Sequence, residues 1–275
     1  NGHPRKVLGK IWEDWKKFAS YAFNKSHATC YSWVAYQTAY LKANFPAQYM
    51  AAVMSRSRDS ITDITKFMSE CKTLGLTTLG PDVNASRMLF GVDSEGNIRF
   101  GLGGIKGLGE SAVEAIISER DANGPFRGIF DFVQRVSMSA VKRSGIECLA
   151  RSGAFDSLGD IRREQFFVPC ERGGHFADVL LRFGQKCQED KLEQQNSLFG
   201  SMGFDIEVTP PLIPQCESWS TLERLNQERE LVGIYLSAHP LDDYSVILRN
   251  VCNAHLAELA DLERWRGLDI TIGGM

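Results

Sequence analysis

Apolar residues recur with the period of a helix through most of this chain and with that of a strand in one short stretch. Over residues 28–42, Trp33, Tyr36 and Tyr40 stand at i, i+3 and i+7, which puts three aromatic rings on one helix face. Ser26 falls where an N-cap would sit. Pro46 restarts a helix, rich in Ala and Met, that runs to about Met54. A third begins at Ser60, whose spacing to Asp63 is that of a capping box; Ile61, Ile64, Met68 and Cys71 form its apolar side and Gly75 ends it. The period then falls to two, and residues 88–92 and 97–101 around the turn 93–96 predict a β-hairpin. Helices resume over 110–120, with Ala112, Val113, Ile116 and Ile117 inward, then over 129–136, 141–151 and near 162–172, and again over 221–231 and 254–264. Between them, 185–196 is strongly polar, and Pro210, Pro211 and Pro214 interrupt regular structure. This predicts a tether. The tail from Leu268 alternates like a strand with no partner and position 1 is not Met, which together predict a segment of a longer protein.

Composition narrows the class. With 275 residues, 43% hydrophobic and 24% charged, the chain has room for two ordinary domains and too much apolar content for wholesale disorder. No apolar run approaches the roughly 18–20 residues that span a bilayer, so no membrane is expected as a partner. The net charge of −3 is unevenly spread: residues 1–58 hold nine Lys and Arg against two acids, leaving 22 against 32 for the remainder. A basic first fifth fits either an anionic partner or a solvated helix face. Seven scattered cysteines with no C-x-x-C fit reduced thiols in a cytoplasmic protein rather than a disulfide framework or zinc ribbon. Cys170 and His175 form an isolated near-pair, and no metal site is expected there.

Three places could carry chemistry. At residues 23–28, Asn24, Lys25, Ser26 and His27 bring donors to the start of the aromatic helix, where unpaired amides attract phosphate; simple helix capping explains the same residues. Residues 105–109 read h-x-G-h-G ahead of a helix, the hairpin of a helix-hairpin-helix element. There Gly107 and Gly109 let the backbone approach a phosphate and Lys106 adds charge, although a purely structural turn would look alike. Residues 149–155 could be a second such unit, lacking G-x-G and contacting DNA less. In the tether, Gln195 precedes the Leu198–Phe199 pair by three residues, the spacing of the short peptides that dock on bacterial sliding clamps, which five residues can also match by chance. No D-x-D pair, Walker loop, nucleophile elbow or metalloprotease pair is present, so no catalytic residue is assigned.

Taken in order, FNKSHATCYSWVAYQTAYLKANFPAQYMAAVMS (residues 23–55), GPDVNASRMLF (80–90), IRFGLGGIKGLGESAVEAI (98–116), SGAFDSLG (152–159) and ERELVGIYLSAHPLDDY (228–244) resemble the C family of bacterial replicative DNA polymerases, the alpha subunits of DNA polymerase III. The resemblance implies a mainly α chain. Its parts would be a C-terminal fingers portion (1–80), a β-hairpin with a tandem helix-hairpin-helix region (81–184), a tether with the clamp-binding motif (185–214), a helical connector (215–267) and a truncated first OB-fold strand (268–275). It implies that Asn24, Lys25, Ser26 and His27 lie near the incoming deoxynucleoside triphosphate and that Lys106, Gly107 and Gly109 grip primer-template duplex. Gln195, Leu198 and Phe199 would bind the sliding clamp, with Asn196 departing from the commonest second residue. Other replicase subunits are implied partners. The family's catalytic aspartates and their Mg2+ ions belong to a palm domain that would precede Asn1, so these 275 residues alone are expected to be inactive. A rival reading is an independent helix-hairpin-helix DNA-binding or repair module, which leaves residues 23–55 unexplained. A helical scaffold without ligand would show no salt-dependent DNA binding.

Overall fold

A computed structural model describes residues 2–21, 25–58, 60–170, 173–196, 209–254, 258–259 and 264–274, without the side chains of 20, 21 and 194–196. The described chain is mainly helical and divides into two compact units, Asn1–Tyr49 and Met50–Met275. The division falls inside the helix Pro46–Arg56.

The first unit opens with α1 (Arg5–Tyr21), a helix beyond those the sequence pattern predicts, along which Leu8, Ile11, Trp12, Trp15 and Phe18 follow helical spacing. These side chains are exposed, Phe18 to 73%. The aromatic helix is α2 (Lys25–Asn44); it starts three residues earlier than expected and buries none of its residues. Trp33 and Tyr36 stack along it, with ring centroids 6.4 Å apart.

The second unit begins within α3 (Pro46–Arg56), where Met50, Ala51 and Met54 are buried. α4 (Ile61–Thr73) has the expected start: Ser60 Oγ accepts from Asp63 N–H and donates to Asp63 Oδ2 at 2.8 Å. Ile64 and Cys71 are buried, but Ile61 is exposed. The C-terminus closes in a Schellman turn through Gly75, with Leu76 N–H donating to Cys71 C=O. The predicted hairpin forms as β2 (Gly91–Val92) and β3 (Ile98–Arg99), shorter than expected, with Asp93 N–H donating to Asn97 C=O at 3.0 Å next to the last pair. Asp93 ties its turn by accepting from Glu95 and Asn97 N–H, both at 2.9 Å. The other edge of β3 pairs in parallel with β1 (Thr78–Leu79), a two-residue strand too short to carry a period.

α5 (Glu110–Asn123), α6 (Ile129–Arg135), α7 (Met138–Ser152) and α8 (Phe176–Asn196) form the main core. Phe126, Phe132, Phe155 and Phe166 run through it as a chain of rings, successive centroids 4.9–5.4 Å apart. The helix expected near 162–172 is only a 3-10 turn, Arg163–Phe167. The tether expected from residue 185 is overturned as far as Asn196, because that stretch is the C-terminal half of α8. Its polar residues are used: Cys187 is buried, and Gln188 Nε2 donates to the C=O groups of Val133 and Val136 at the end of α6.

α9 (Thr221–Val232) packs on α7 and ends at Gly233. α10 (Ser245–Asn250) was not expected, and most of the predicted 254–264 helix lies outside the described residues. The tail over 268–274 forms no regular strand; Asp269 and Thr271 instead bond Asn253 through backbone and side chain.

Candidate nucleic-acid interface

The turn at residues 105–109 is built by two anchors and one glycine. Ile105 and Leu108 are buried, which pins both ends of the turn, while Lys106, Gly107 and Gly109 are exposed. Leu108 N–H donates to Ile105 C=O at 3.2 Å, closing a four-residue turn whose third residue, Gly107, has φ +84°. An L-residue resists that conformation, and a Cβ there would stand 3.2 Å from Cys148 Sγ of α7. Burial pushes the Cys148 thiol above its ordinary pKa, so it packs as a neutral group.

Gly109 is the N-cap of α5 and supplies no side-chain acceptor. Among the described residues, no protein acceptor takes the N–H groups of Gly107, Gly109, Glu110 or Ser111, and all four residues are exposed. Four unpaired amides at a helix N-terminus offer donors to an anion. Lys106 flanks it. Arg58 does as well: its Nη2 lies 3.9 Å from Glu110 Oε1, offsetting the one acid placed at the helix start. The backbone of the turn is held from behind, where Lys106 N–H donates to the C=O of Leu231 at the end of α9.

The second hairpin expected at residues 149–155 is a different object. Ala150, Ala154 and Phe155 are buried, and Gly153 closes α7 in the left-handed conformation. A 3-10 turn follows it in place of a helix, so these residues serve as packing for the core.

In the first unit, Lys25, Ser26 and His27 occupy the first turn of α2 and are exposed. Ser26 is inside the helix, not its N-cap, because the helix begins one residue ahead of it; Asn24 lies outside the described residues. His27 packs on Tyr31 with ring centroids 4.3 Å apart.

Residues 75–165 match the family model described as a helix-hairpin-helix motif. Across all 275 residues the chain is 36% identical to a Vibrio cholerae protein named DNA polymerase III subunit alpha, covering 23% of that protein. It is 36% identical over 276 aligned positions to the Escherichia coli K12 protein of the same name, covering 23% of it. It is 38% identical over 93% of its length to the Caulobacter vibrioides one, covering 21%. The chain is homologous to a segment of DNA polymerase III subunit alpha. It therefore spans less than a quarter of the length of these alpha subunits.

Against an alpha-subunit segment, the remaining expectations sort simply. Gln195 lies in the last turn of α8, its side chain among those not described, while Leu198 and Phe199 lie outside the described residues. His175 Nδ1 accepts from Arg143 Nη2 at 3.1 Å, and Cys170 Sγ donates to Val168 C=O at 3.7 Å. Among the described residues there is no group of three or more His, Cys, Asp or Glu able to hold a metal ion, and no helix is long and apolar enough to cross a membrane. Sequence reasoning missed Arg58, which no motif marks and which only the fold brings to residue 110.

Proposed function

We propose that this chain provides the fingers, duplex-holding and clamp-docking parts of a DNA-directed DNA polymerase of the C family. The observation that carries the reading is the set of four open amides at Gly107, Gly109, Glu110 and Ser111 beside Lys106, inside a segment homologous to polymerase alpha subunits. Their partner is the phosphate backbone of primer-template duplex, gripped without regard to sequence. Asn24, Lys25, Ser26 and His27 serve the incoming deoxynucleoside triphosphate, and Gln195, Leu198 and Phe199 dock on the sliding clamp within a cytoplasmic replicase of several subunits. Mg2+-dependent phosphoryl transfer is carried by parts of the alpha subunit that these residues do not match.

The test is fluorescence anisotropy with labelled duplexes of unrelated sequence over a salt series. Affinity falls linearly in log–log form with salt, and Lys106→Glu weakens every duplex alike. A loss confined to some sequences, or binding indifferent to salt, overturns the backbone grip. Primer extension by the 275 residues alone, with Mg2+ and nucleotides, is undetectable; measurable extension shows the chemistry to be assigned to the wrong part. Replacing Leu198 and Phe199 by alanine abolishes clamp binding in surface plasmon resonance, and unchanged affinity removes those residues from that role.

A further inference from the structure

Glu228 has no part in the grip, yet it is buried, 2% exposed. A buried carboxylate is costly unless its lone pairs are used. Those of Glu228 are used on both sides. Oε1 accepts from the backbone N–H of Leu236 at 2.7 Å and of Ser237 at 2.8 Å. Oε2 accepts from Arg163 Nη1 at 3.2 Å. Arg163 is itself buried and reaches back through Nε and Nη2 to Asp156. Burial opposes its charge, but Asp156 and then Glu228 hold its pKa above the ordinary arginine value. The last turns of α9 are thus fastened to residues 156–163 on one side and to the chain leaving the helix on the other.

Three residues along α9 from Glu228, the Leu231 carbonyl is among the last four of the helix and has no acceptor role within it. It takes the Lys106 N–H at 3.0 Å. A displacement of the α9 terminus would therefore release the residue immediately before Gly107. We propose that Glu228 is a positioning residue for the phosphate grip, holding the Leu231 carbonyl where it fixes Lys106 and keeps the adjoining amides facing outward. The proposal rests on reading residues 106–111 as that grip. Glu228 itself touches no DNA.

The experiment uses the 275-residue chain with Glu228→Gln, Arg163→Lys as a milder second variant, and Lys106→Glu as the reference for the grip. Three quantities are measured: amide hydrogen exchange by NMR, thermal unfolding, and anisotropy with a fluorescein-labelled duplex over a salt series. In Glu228→Gln, the Lys106 amide exchanges about tenfold faster, as loss of one backbone hydrogen bond implies, while Val113 and Ile116 in α5 keep their protection. Duplex affinity falls several-fold with the salt slope unchanged, because no phosphate-binding group is deleted. Arg163→Lys shifts the same readouts in the same direction by a smaller amount, and carries the test if Glu228→Gln does not fold. Lys106 protection that is unchanged, or that falls only together with that of α5, overturns the positioning role and leaves Glu228 as a stabiliser. A fast-exchanging Lys106 amide with unchanged duplex affinity also overturns it. If Lys106→Glu leaves duplex binding intact while Glu228→Gln still frees the Lys106 amide, the grip fails and the mechanical link between Glu228 and Lys106 stands.

Discussion

At the scale of single residues, Gly107 is where geometry and binding meet. Two separate penalties await a side chain there: its φ of +84° and the Cys148 sulfur 3.2 Å from the would-be Cβ. Gly107→Ala should cost about 1–2 kcal/mol of stability from the backbone conformation alone. It should also weaken duplex binding, as read by urea unfolding and anisotropy. Combining it with Cys148→Ala removes the steric clash but leaves φ, so only part of the stability returns; full recovery would show that strain was never the cause. Arg58 offers a second test of the same surface. Arg58→Ala leaves the fold intact, weakens all duplexes alike and lowers the salt slope by about one, as expected when one cation no longer neutralises a phosphate. An unchanged slope would confine Arg58 to its pairing with Glu110.

At the scale of elements, what could be read from the sequence depended on whether a local pattern fixed the answer. The N-cap of α4 was legible because Ser60 and Asp63 form it between themselves, Ser60 Oγ accepting from Asp63 N–H and donating to its carboxylate. Ser60→Ala should cost about 1 kcal/mol in chemical denaturation. The Ser60 hydroxyl, and after it Lys66, hold the Asp63 carboxyl below its usual pKa. A depressed carboxyl stabilises fully above the unfolded-state value near ~3.9 and loses that contribution as pH falls through its lower folded value. Ser60→Ala should therefore flatten the acid limb of the stability profile, and an unaltered limb would separate the cap from the carboxylate. The hairpin turn 105–109 was legible for the same reason, since two apolar anchors and a glycine specify it locally. α8 was not. Its second half reads as a tether because Gln188, standing among polar neighbours, looks solvated, whereas in the fold it satisfies two carbonyls at the end of α6. β1 and the bridging of Lys106 to Leu231 depend on pairings distant in sequence, which no local period encodes.

At the scale of the whole chain, the two units differ in how they are held together. The second has a continuous core in which Phe126, Phe132, Phe155 and Phe166 touch in series, and the buried Arg163–Glu228 pair joins α9 to it. In the first, α2 buries none of its residues, and Val7, Leu8, Ile11, Trp12, Trp15 and Phe18 of α1 are exposed. A helix without tertiary packing is marginal at these lengths. Residues 50–275 expressed alone should therefore unfold cooperatively, with a midpoint within a few degrees of the full chain, and keep duplex binding that Lys106→Glu weakens. Residues 1–49 alone should show only partial, non-cooperative helicity by circular dichroism. Removing them takes away seven Lys and Arg and two acids, so the association rate at low salt should fall even though the hairpin is untouched. Loss of cooperative unfolding in residues 50–275 would mean that the first unit completes the core of the second. Loss of the Lys106-dependent component, with the fold retained, would place part of the grip in the first unit instead.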